Sequence, residues 1–139
     1  MKIIKISTRK VAPGNPRNDR GRRTWEWDQK DNKQIVFSFR RKGEHFGNHF
    51  HKGKDPSKNP ERFLLLQGTF VFDFVYKNGK KQKLVLSPKK GPIELILPAY
   101  VFHKIFAKTD CYHIEYRTTY FNPKKPDTYT TEFFPVKIK

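Results

Sequence analysis

Histidines are the residues of this sequence best suited to chemistry, and two of the five, His49 and His51, are separated by a single residue. On a β-strand, residues i and i+2 point to the same face, so two imidazoles placed this way converge as two ligands of a metal must. Glu61 stands at the entrance of the apolar run Phe63–Leu66, where an acid needs a specific role or an ion pair. It fits as a third ligand from a neighbouring strand, and His103, inside another apolar run, fits as a fourth.

Other polar candidates lie close to this group in the sequence. A lysine-rich segment precedes Glu61, and Lys52 and Lys54 in it, together with Arg62, are candidates for binding the phosphate groups of a substrate. The simpler alternative for this segment is a solvated, flexible loop. His113 lies on another strand-like run, and the sequence leaves open which face of that run enters a pocket.

The composition indicates one folded domain, taken as 1–139, with abundant β-structure. The 139 residues suffice to bury a core, and the single cysteine excludes a disulfide scaffold or a cysteine-rich zinc module. Aromatic residues make up 15% of the chain, whereas disordered chains are poor in them. No apolar run approaches the ~20 residues that a membrane-spanning helix needs, so we expect a cytoplasmic protein with no membrane partner.

Short strand-like runs alternate with segments rich in glycine, proline, asparagine and lysine, which predicts an all-β fold. The Asn78-Gly79 pair between two such runs predicts a hairpin with a type I′ turn, because that turn needs positive φ at both central residues. The predicted strands are Ile3–Ser7, Thr24–Trp27, Gln34–Arg40, Gly47–His51, Arg62–Gln67, Thr69–Tyr76, Gln82–Ser87, Ile93–Leu97, Val101–Ala107, Tyr112–Thr119 and Phe133–Lys137.

The spacing of the candidate ligands resembles the first motif of the cupin superfamily (RmlC-like). Here, over 43–68, Gly43 is followed by five residues, His49-x-His51, nine residues, Glu61, six residues and Gly68. The outer spacings agree with the family motif. The loop before Glu61 is about five residues longer than in the family, and we call residues 52–60 the insert.

The second cupin motif is matched over 91–107. Pro98 and His103 are in register with it, whereas Tyr100 and Ala107 stand where the family carries glycine and asparagine. The two motifs together cover about half of the chain.

This resemblance implies a cupin-type double-stranded β-helix, that is, a jelly-roll barrel with a pocket at one mouth. In the family that pocket often holds one divalent metal ion. Carried over by position, the metal ligands are His49, His51, Glu61 and His103. Three imidazoles and a carboxylate suit Zn, Ni, Mn or Fe, and the sequence does not choose among these metals.

A narrower resemblance is to cupins of surface-polysaccharide biosynthesis, and it is carried by the runs 47–52 and 61–64. These relatives include metal-binding domains of capsular-sugar reductases. They also include sugar-nucleotide ketoisomerases, to whose early motif Asp19-Arg20-Gly21 is loosely similar. Ketoisomerases and the related epimerases work without metal and usually lack an acid at the position of Glu61, so Glu61 favours a metal site. Phe46 stands where these relatives carry arginine.

The resemblance implies an isomerase or epimerase that acts beside a carbonyl group of a sugar or nucleotide-sugar. The alternatives are a metal-dependent dioxygenase with the same ligands and a non-catalytic module that binds sugar or metal. The net charge of +17 favours an anionic partner, and together with the resemblance it implies a small anionic or saccharide substrate. Nucleic acid is supported by charge alone, hence only as a non-specific partner, and a homodimer is expected from the resemblance.

Overall fold

The protein is all-β in the residues that the computed structural model describes, which are 6–10, 25, 27 and 31–130. These residues contain a single turn of 3₁₀ helix, Pro56–Lys58, and no helix long and apolar enough to span a membrane. The strands are β1 (Ser7–Lys10), β2 (Gln34–Arg40), β3 (His45–His49), β4 (Glu61–Gln67), β5 (Phe70–Tyr76), β6 (Lys81–Leu86), β7 (Ile93–Leu97), β8 (Val101–Ala107) and β9 (Cys111–Arg117).

The predicted fold class is confirmed. The strands β2 to β9 coincide with predicted strands to within two residues at each end, because short runs with strand character, bounded by turn residues, mark them in the sequence. The predicted strand Phe133–Lys137 lies outside the described residues, as do parts of Ile3–Ser7 and Thr24–Trp27.

The strands form two antiparallel sheets around one core. The five-stranded sheet has the order β1-β7-β4-β9-β2, and the four-stranded sheet has the order β3-β8-β5-β6. A single hydrophobic cluster takes side chains from both sheets, including Leu65 and Leu95 from the first and Phe72 and Ile105 from the second. The two sheets therefore pack face to face, and residues that point inward from β3, β4, β8 and β9 meet between them.

The ring ladder of β5 forms part of this core. Phe70, Phe72 and Phe74 are each 1% exposed, and neighbouring rings are stacked with centroids 6.1 and 5.7 Å apart. Burial of each such ring stabilises the fold by about 1.5–3 kcal/mol. Asp73 points the other way and forms an exposed ion pair with Lys83 at 3.6 Å, so the predicted alternation of this strand is observed.

The β5–β6 hairpin forms as predicted, but its turn is of a different type. The amide of Gly79 donates to the carbonyl of Tyr76, and the amide of Tyr76 donates to the carbonyl of Lys80. Gly79 has a φ of 87°, whereas Asn78 is not among the residues with positive φ. The loop is therefore a three-residue turn that ends in a left-handed glycine, and not a two-residue type I′ turn.

Gly68, between β4 and β5, lies where no other residue fits. Its φ is +99°, and a Cβ atom there would lie 2.3 Å from the carbonyl oxygen of Asp110 and 2.9 Å from the Cα of Cys111. Both contacts are with backbone atoms, so they cannot be relieved by rotating a side chain. Gly43 has a similar φ of +90°, but a Cβ atom there would have no neighbour within 4 Å.

Gly68→Ala should therefore destabilise the protein far more than Gly43→Ala. The second substitution meets only the strain of a positive φ, about 1–3 kcal/mol, whereas the first also forces the β4–β5 connection away from β9. Urea unfolding of both variants and the wild type measures the two effects separately. Equal losses of unfolding free energy would show that Gly68 is needed for its φ alone.

Candidate functional site

Three histidines are brought together where β3 and β8 pair and the insert begins. His49 at the end of β3 lies directly opposite His103 of β8, after a bulge in which Asn48 adopts a φ of 63°. The ring centroids are 4.8 Å apart for His49 and His51, 4.7 Å for His49 and His103, and 5.3 Å for His51 and His103. One nitrogen from each ring lies within 4.8 Å of the others, a spacing that can hold a metal ion.

The hydrogen bonds of two of these rings fix which nitrogen is free. Nδ1 of His51 lies 2.5 Å from the carbonyl oxygen of Asp127, and Nδ1 of His103 lies 3.1 Å from that of Val101. A carbonyl only accepts hydrogen bonds, so both Nδ1 atoms carry the proton and donate. In the neutral rings, each Nε2 atom is therefore left with a lone pair.

Both lone pairs face Glu61. Its Oε2 atom lies 3.0 Å from Nε2 of His51 and 3.8 Å from Nε2 of His103. Oε2 of Glu61 and Nε2 of His51 are buried, yet neither has a hydrogen-bond partner in the described part of the chain. Two imidazole nitrogens and a carboxylate oxygen that converge in this way suit a bound cation. We call His49, His51, Glu61 and His103 the acceptor cluster.

Burial keeps two imidazoles of this cluster, those of His49 and His103, neutral. It lowers the pKa of His49 to about 3 and that of His103 to about 4. Burial alone would raise the pKa of Glu61, but the Lys58 ammonium holds it well below its usual range. Near neutral pH the cluster thus offers lone pairs and one negative charge.

Lys58 and Glu115 belong to the site although sequence analysis did not propose them. Nζ of Lys58 donates to Oε1 of Glu61 at 2.8 Å and also to Oε1 of Glu115. Burial disfavours the ammonium, but the two carboxylates raise the pKa of Lys58 above its ordinary value. Burial and the charge of Glu61 raise the pKa of Glu115. The alternation of His113 and Glu115 on β9 was visible in the sequence, and the structure shows that this face points inward.

The insert that carries Lys58 is fastened to the barrel, so its interpretation as a solvated, flexible loop is wrong. Asp55 accepts hydrogen bonds from Arg117 and, at 2.7 Å, from the Thr119 hydroxyl. The buried Ser57 hydroxyl accepts from the Thr119 amide at 3.0 Å. The Asp127 carboxylate accepts from the amide of Asp55 at 3.0 Å. These partners are about 60 to 75 residues apart in the chain, and no local pattern reveals them.

The acceptor cluster lines a cavity of about 160 Å³ that also includes Arg40, Phe46 and His113 in its wall. The ring of His113 stacks on Phe46 with centroids 5.6 Å apart, and its Nδ1 atom is buried without a partner among the described residues. Burial lowers the pKa of His113 to about 4, and the nearby Arg40 guanidinium contributes to this. A neutral imidazole in this position can accept a proton.

The three residues predicted to bind substrate do not meet in this cavity. Arg62 alternates with the acid before it, points to the opposite face of the sheet and forms an ion pair with Glu94 at 3.3 Å. Nζ of Lys52 lies 4.1 Å from the centre of the Tyr129 ring. Lys54 is exposed in the wall of a neighbouring cavity of about 510 Å³.

No protein-family model matches the sequence, and no curated protein is significantly similar to it. Several solved structures, however, are similar in fold. The sugar 3,4-ketoisomerase QdtA from Thermoanaerobacterium thermosaccharolyticum, in complex with TDP, is 15% identical with a TM-score of 0.71, and the match covers 94% of this chain and 91% of that chain. The TDP-fucose-3,4-ketoisomerase WlaRA from Campylobacter jejuni is 19% identical with a TM-score of 0.66, covering 90% and 88%.

A third similar structure is the capsular polysaccharide assembling protein CapF from Staphylococcus aureus. It is 28% identical with a TM-score of 0.60, and the match covers 72% of this chain but 26% of that chain. The present chain thus spans about a quarter of the length of CapF. Together these similarities show that the chain has the fold of the RmlC-like cupins, as the motif spacing implied.

His113→Leu should make the metal-free protein less sensitive to acid. The pKa of His113 is about 4 in the folded protein against an ordinary 6.5. Between these values the unfolded chain binds a proton that the folded chain does not. Acidification through this range therefore lowers the free energy of unfolding, by up to about 1.4 kcal/mol per pH unit for one such group.

Urea unfolding of the wild type and His113→Leu between about pH 7 and pH 4 measures this difference. The variant should lose less stability across the range. His45→Leu is the matched control for replacing a histidine by leucine, because His45 is exposed on β3. Parallel pH profiles for the wild type and His113→Leu would contradict the buried, neutral state of His113.

Proposed function

We propose that this protein binds one divalent metal through its acceptor cluster and acts as an isomerase or epimerase beside a carbonyl group of a sugar or nucleotide-sugar. The observation that carries the metal site is the meeting of two imidazole Nε2 atoms with Oε2 of Glu61, where Oε2 of Glu61 and Nε2 of His51 are buried without a hydrogen-bond partner among the described residues. His49 would be the fourth ligand. This donor set suits Zn, Ni, Mn or Fe.

A metal bound there would supply Lewis acidity for a carbonyl or enediolate oxygen of the substrate. The residues of the chain would do the rest. His103 and His51 are held in one tautomer by backbone carbonyls, so their Nε2 atoms face the site without rearrangement. His113, neutral and in the wall of the same cavity, is suited to accept a proton from the carbon beside the carbonyl and to return it.

The size of the cavity supports a sugar as the reacting group. At about 160 Å³ it is comparable with a cavity that holds one six-membered ring, and it is smaller than the pockets that enclose drug-sized ligands. A nucleotide would therefore have to lie outside it. The neighbouring cavity of about 510 Å³ shares Lys58 and Phe121 with it and has Lys54 and Lys125 in its wall, so it offers both room and positive charge.

The similar structures also support this choice of substrate. The two that match over nearly their whole length are named as 3,4-ketoisomerases, and QdtA has been solved with TDP and, as a variant, with TDP-4-keto-6-deoxyglucose. A ketoisomerase moves a carbonyl group between neighbouring carbons, which needs removal and return of a proton. The same ligands would also serve a dioxygenase, and that alternative differs by its consumption of oxygen.

Glu61→Gln should weaken metal binding while the metal-free protein stays about as stable as the wild type. The new amide keeps an acceptor oxygen for Lys58 and gains an N–H for the lone pair of His51, but it no longer carries the negative charge. The metal affinity should fall by at least about tenfold, which is the effect of replacing a residue that only hydrogen-bonds to a metal ligand.

Elemental analysis of protein prepared without a metal-binding tag, followed by competition with a chromophoric chelator, measures this effect. Glu44→Gln is the control, since Glu44 is exposed and outside the cluster. Unchanged metal content in Glu61→Gln would exclude Glu61 as a ligand. Metal at background level in the wild type would favour a reaction carried by the histidines alone.

Metal-loaded protein incubated with TDP-4-keto-6-deoxyglucose in deuterium oxide should introduce deuterium at the carbon beside the keto group. His113→Leu should slow this exchange by about a hundredfold or more, the usual effect of losing a general base. Nuclear magnetic resonance or mass spectrometry detects the label even where no product accumulates. Binding without exchange would support a non-catalytic module, and oxygen uptake would support the dioxygenase.

A further inference from the structure

We propose that Lys58 is a resident cation of the site, which positions Glu61 and limits how tightly the metal is held. The inference rests on the proposed metal site and extends it to a residue of the insert. Nζ of Lys58 donates to Oε1 of Glu61 and to Oε1 of Glu115. The ammonium therefore lies against the carboxylate that also faces the imidazoles.

This contact divides the two oxygens of Glu61 between different partners. Oε1 receives the hydrogen bond from Lys58 at 2.8 Å, and only Oε2 faces the lone pairs of His51 and His103. As long as Lys58 stays in place, Glu61 offers one oxygen to a cation in the cluster rather than two. Lys58 is thus a positioning residue for a ligand.

The structure leaves Lys58 little freedom to move away. Its side chain is 12% exposed, whereas lysine is almost never buried unless it is paired. The residue ends the 3₁₀ turn Pro56–Lys58, and Asp55 and Ser57 fasten this turn to Arg117 and Thr119. A lysine on a solvated loop would swing out when a metal arrives, but this one is held against the cluster.

The charges around Lys58 indicate how its ammonium affects the metal-free fold and metal binding. Glu61 and Glu115 bring two negative charges into a buried region, and without a metal these are costly unless a cation balances them. Lys58 supplies one positive charge and so stabilises the metal-free fold. When a divalent ion binds, the ammonium of Lys58 lies next to Glu61, which is a ligand of the ion. The two positive charges then repel each other. Lys58 should therefore favour the metal-free protein and weaken metal binding.

A merely structural lysine predicts the opposite change in affinity. If Lys58 only kept the insert in place, its loss would loosen the cluster and weaken metal binding. If it is a resident cation, its loss strengthens metal binding although the fold is less stable. The sign of the change in affinity separates the two roles.

The experiment compares Lys58→Met with Lys54→Met in the full chain. Methionine keeps a long apolar side chain but removes the charge, and Lys54 is an exposed lysine of the same insert. For each protein, urea unfolding is measured after removal of metal, and the dissociation constant of Zn²⁺ is measured by chelator competition. Lys58→Met should lower the metal-free unfolding midpoint and tighten Zn²⁺ binding by about tenfold or more. Lys54→Met should do neither.

Lys58→Met combined with Glu115→Gln serves if the single variant does not fold. The double variant removes one charge of each sign, so the buried region keeps its net charge while Glu61 still loses its ammonium partner. It should also bind Zn²⁺ more tightly than the wild type. Lys58→Arg keeps the positive charge, so its affinity for Zn²⁺ should stay close to that of the wild type.

The outcomes distinguish this inference from the proposed function. If the wild type binds Zn²⁺ and Lys58→Met, or the double variant in its place, binds it equally or more weakly, the resident-cation role is overturned and the metal site stands. If the wild type binds none but the variant binds it, Lys58 is a resident cation that excludes metal, and the metal chemistry of the proposed function fails. If none of the proteins binds Zn²⁺, both proposals fail.

Discussion

A buried carboxylate beside imidazole lone pairs is unfavourable unless a cation balances it. In this protein, that requirement is centred on Glu61, which is 2% exposed and has His51 and His103 on one oxygen and Lys58 on the other. The remaining features of the site follow from it. The insert must be fastened so that its lysine reaches inward, and the imidazoles must be held in the tautomer that directs their lone pairs at the same point.

The two-sheet architecture provides this arrangement because its strands come from distant parts of the chain. β3 and β8 lie in the four-stranded sheet, whereas β4 and β9 lie in the five-stranded sheet. Inward-facing residues of all four strands therefore meet across the barrel. The bulge at Asn48 sets His49 opposite His103. Next to it, Gly47 has a φ of +79° and lies so close to β8 that a Cβ atom would be 3.0 Å from the carbonyl oxygen of His103.

Short strand-like runs bounded by turn residues made much of the fold predictable from sequence, and they located eight strands. Period-two alternation made part of the site predictable, because it placed His49 and His51 on one face although the regular strand ends between them. The same rule puts Arg62 on the face opposite to Glu61, so its exclusion from the cavity was already implied by the sequence.

The unpredicted features depend on pairs of residues that are far apart in the chain. The fastening of the insert joins Asp55 to Arg117 and Ser57 to Thr119, and the ion pair of Lys58 with Glu115 crosses from the insert to β9. From composition, Lys58 was one of thirty basic residues in the chain, and it lay in a segment that looked solvated. The Asn78-Gly79 pair correctly predicted a hairpin but not its type of turn, which has three residues instead of two.

The net charge of +17 has to be set against the negative charge of the site. An overall positive field draws anions toward the protein and discourages cations, so a metal site in such a chain depends on carboxylates close to the ion. Glu61 and Glu115 supply them inside the barrel, while Lys54 and Lys125 stand at the neighbouring cavity. Within the cluster, burial strengthens the interactions of a bound ion with the nearby carboxylates. The exposed basic residues are screened by salt, so they act mainly on ligands outside the cluster. The arrangement thus separates a carboxylate-containing interior, the proposed metal site, from a basic mouth, as the proposed metal-assisted reaction on a phosphate-bearing sugar would require.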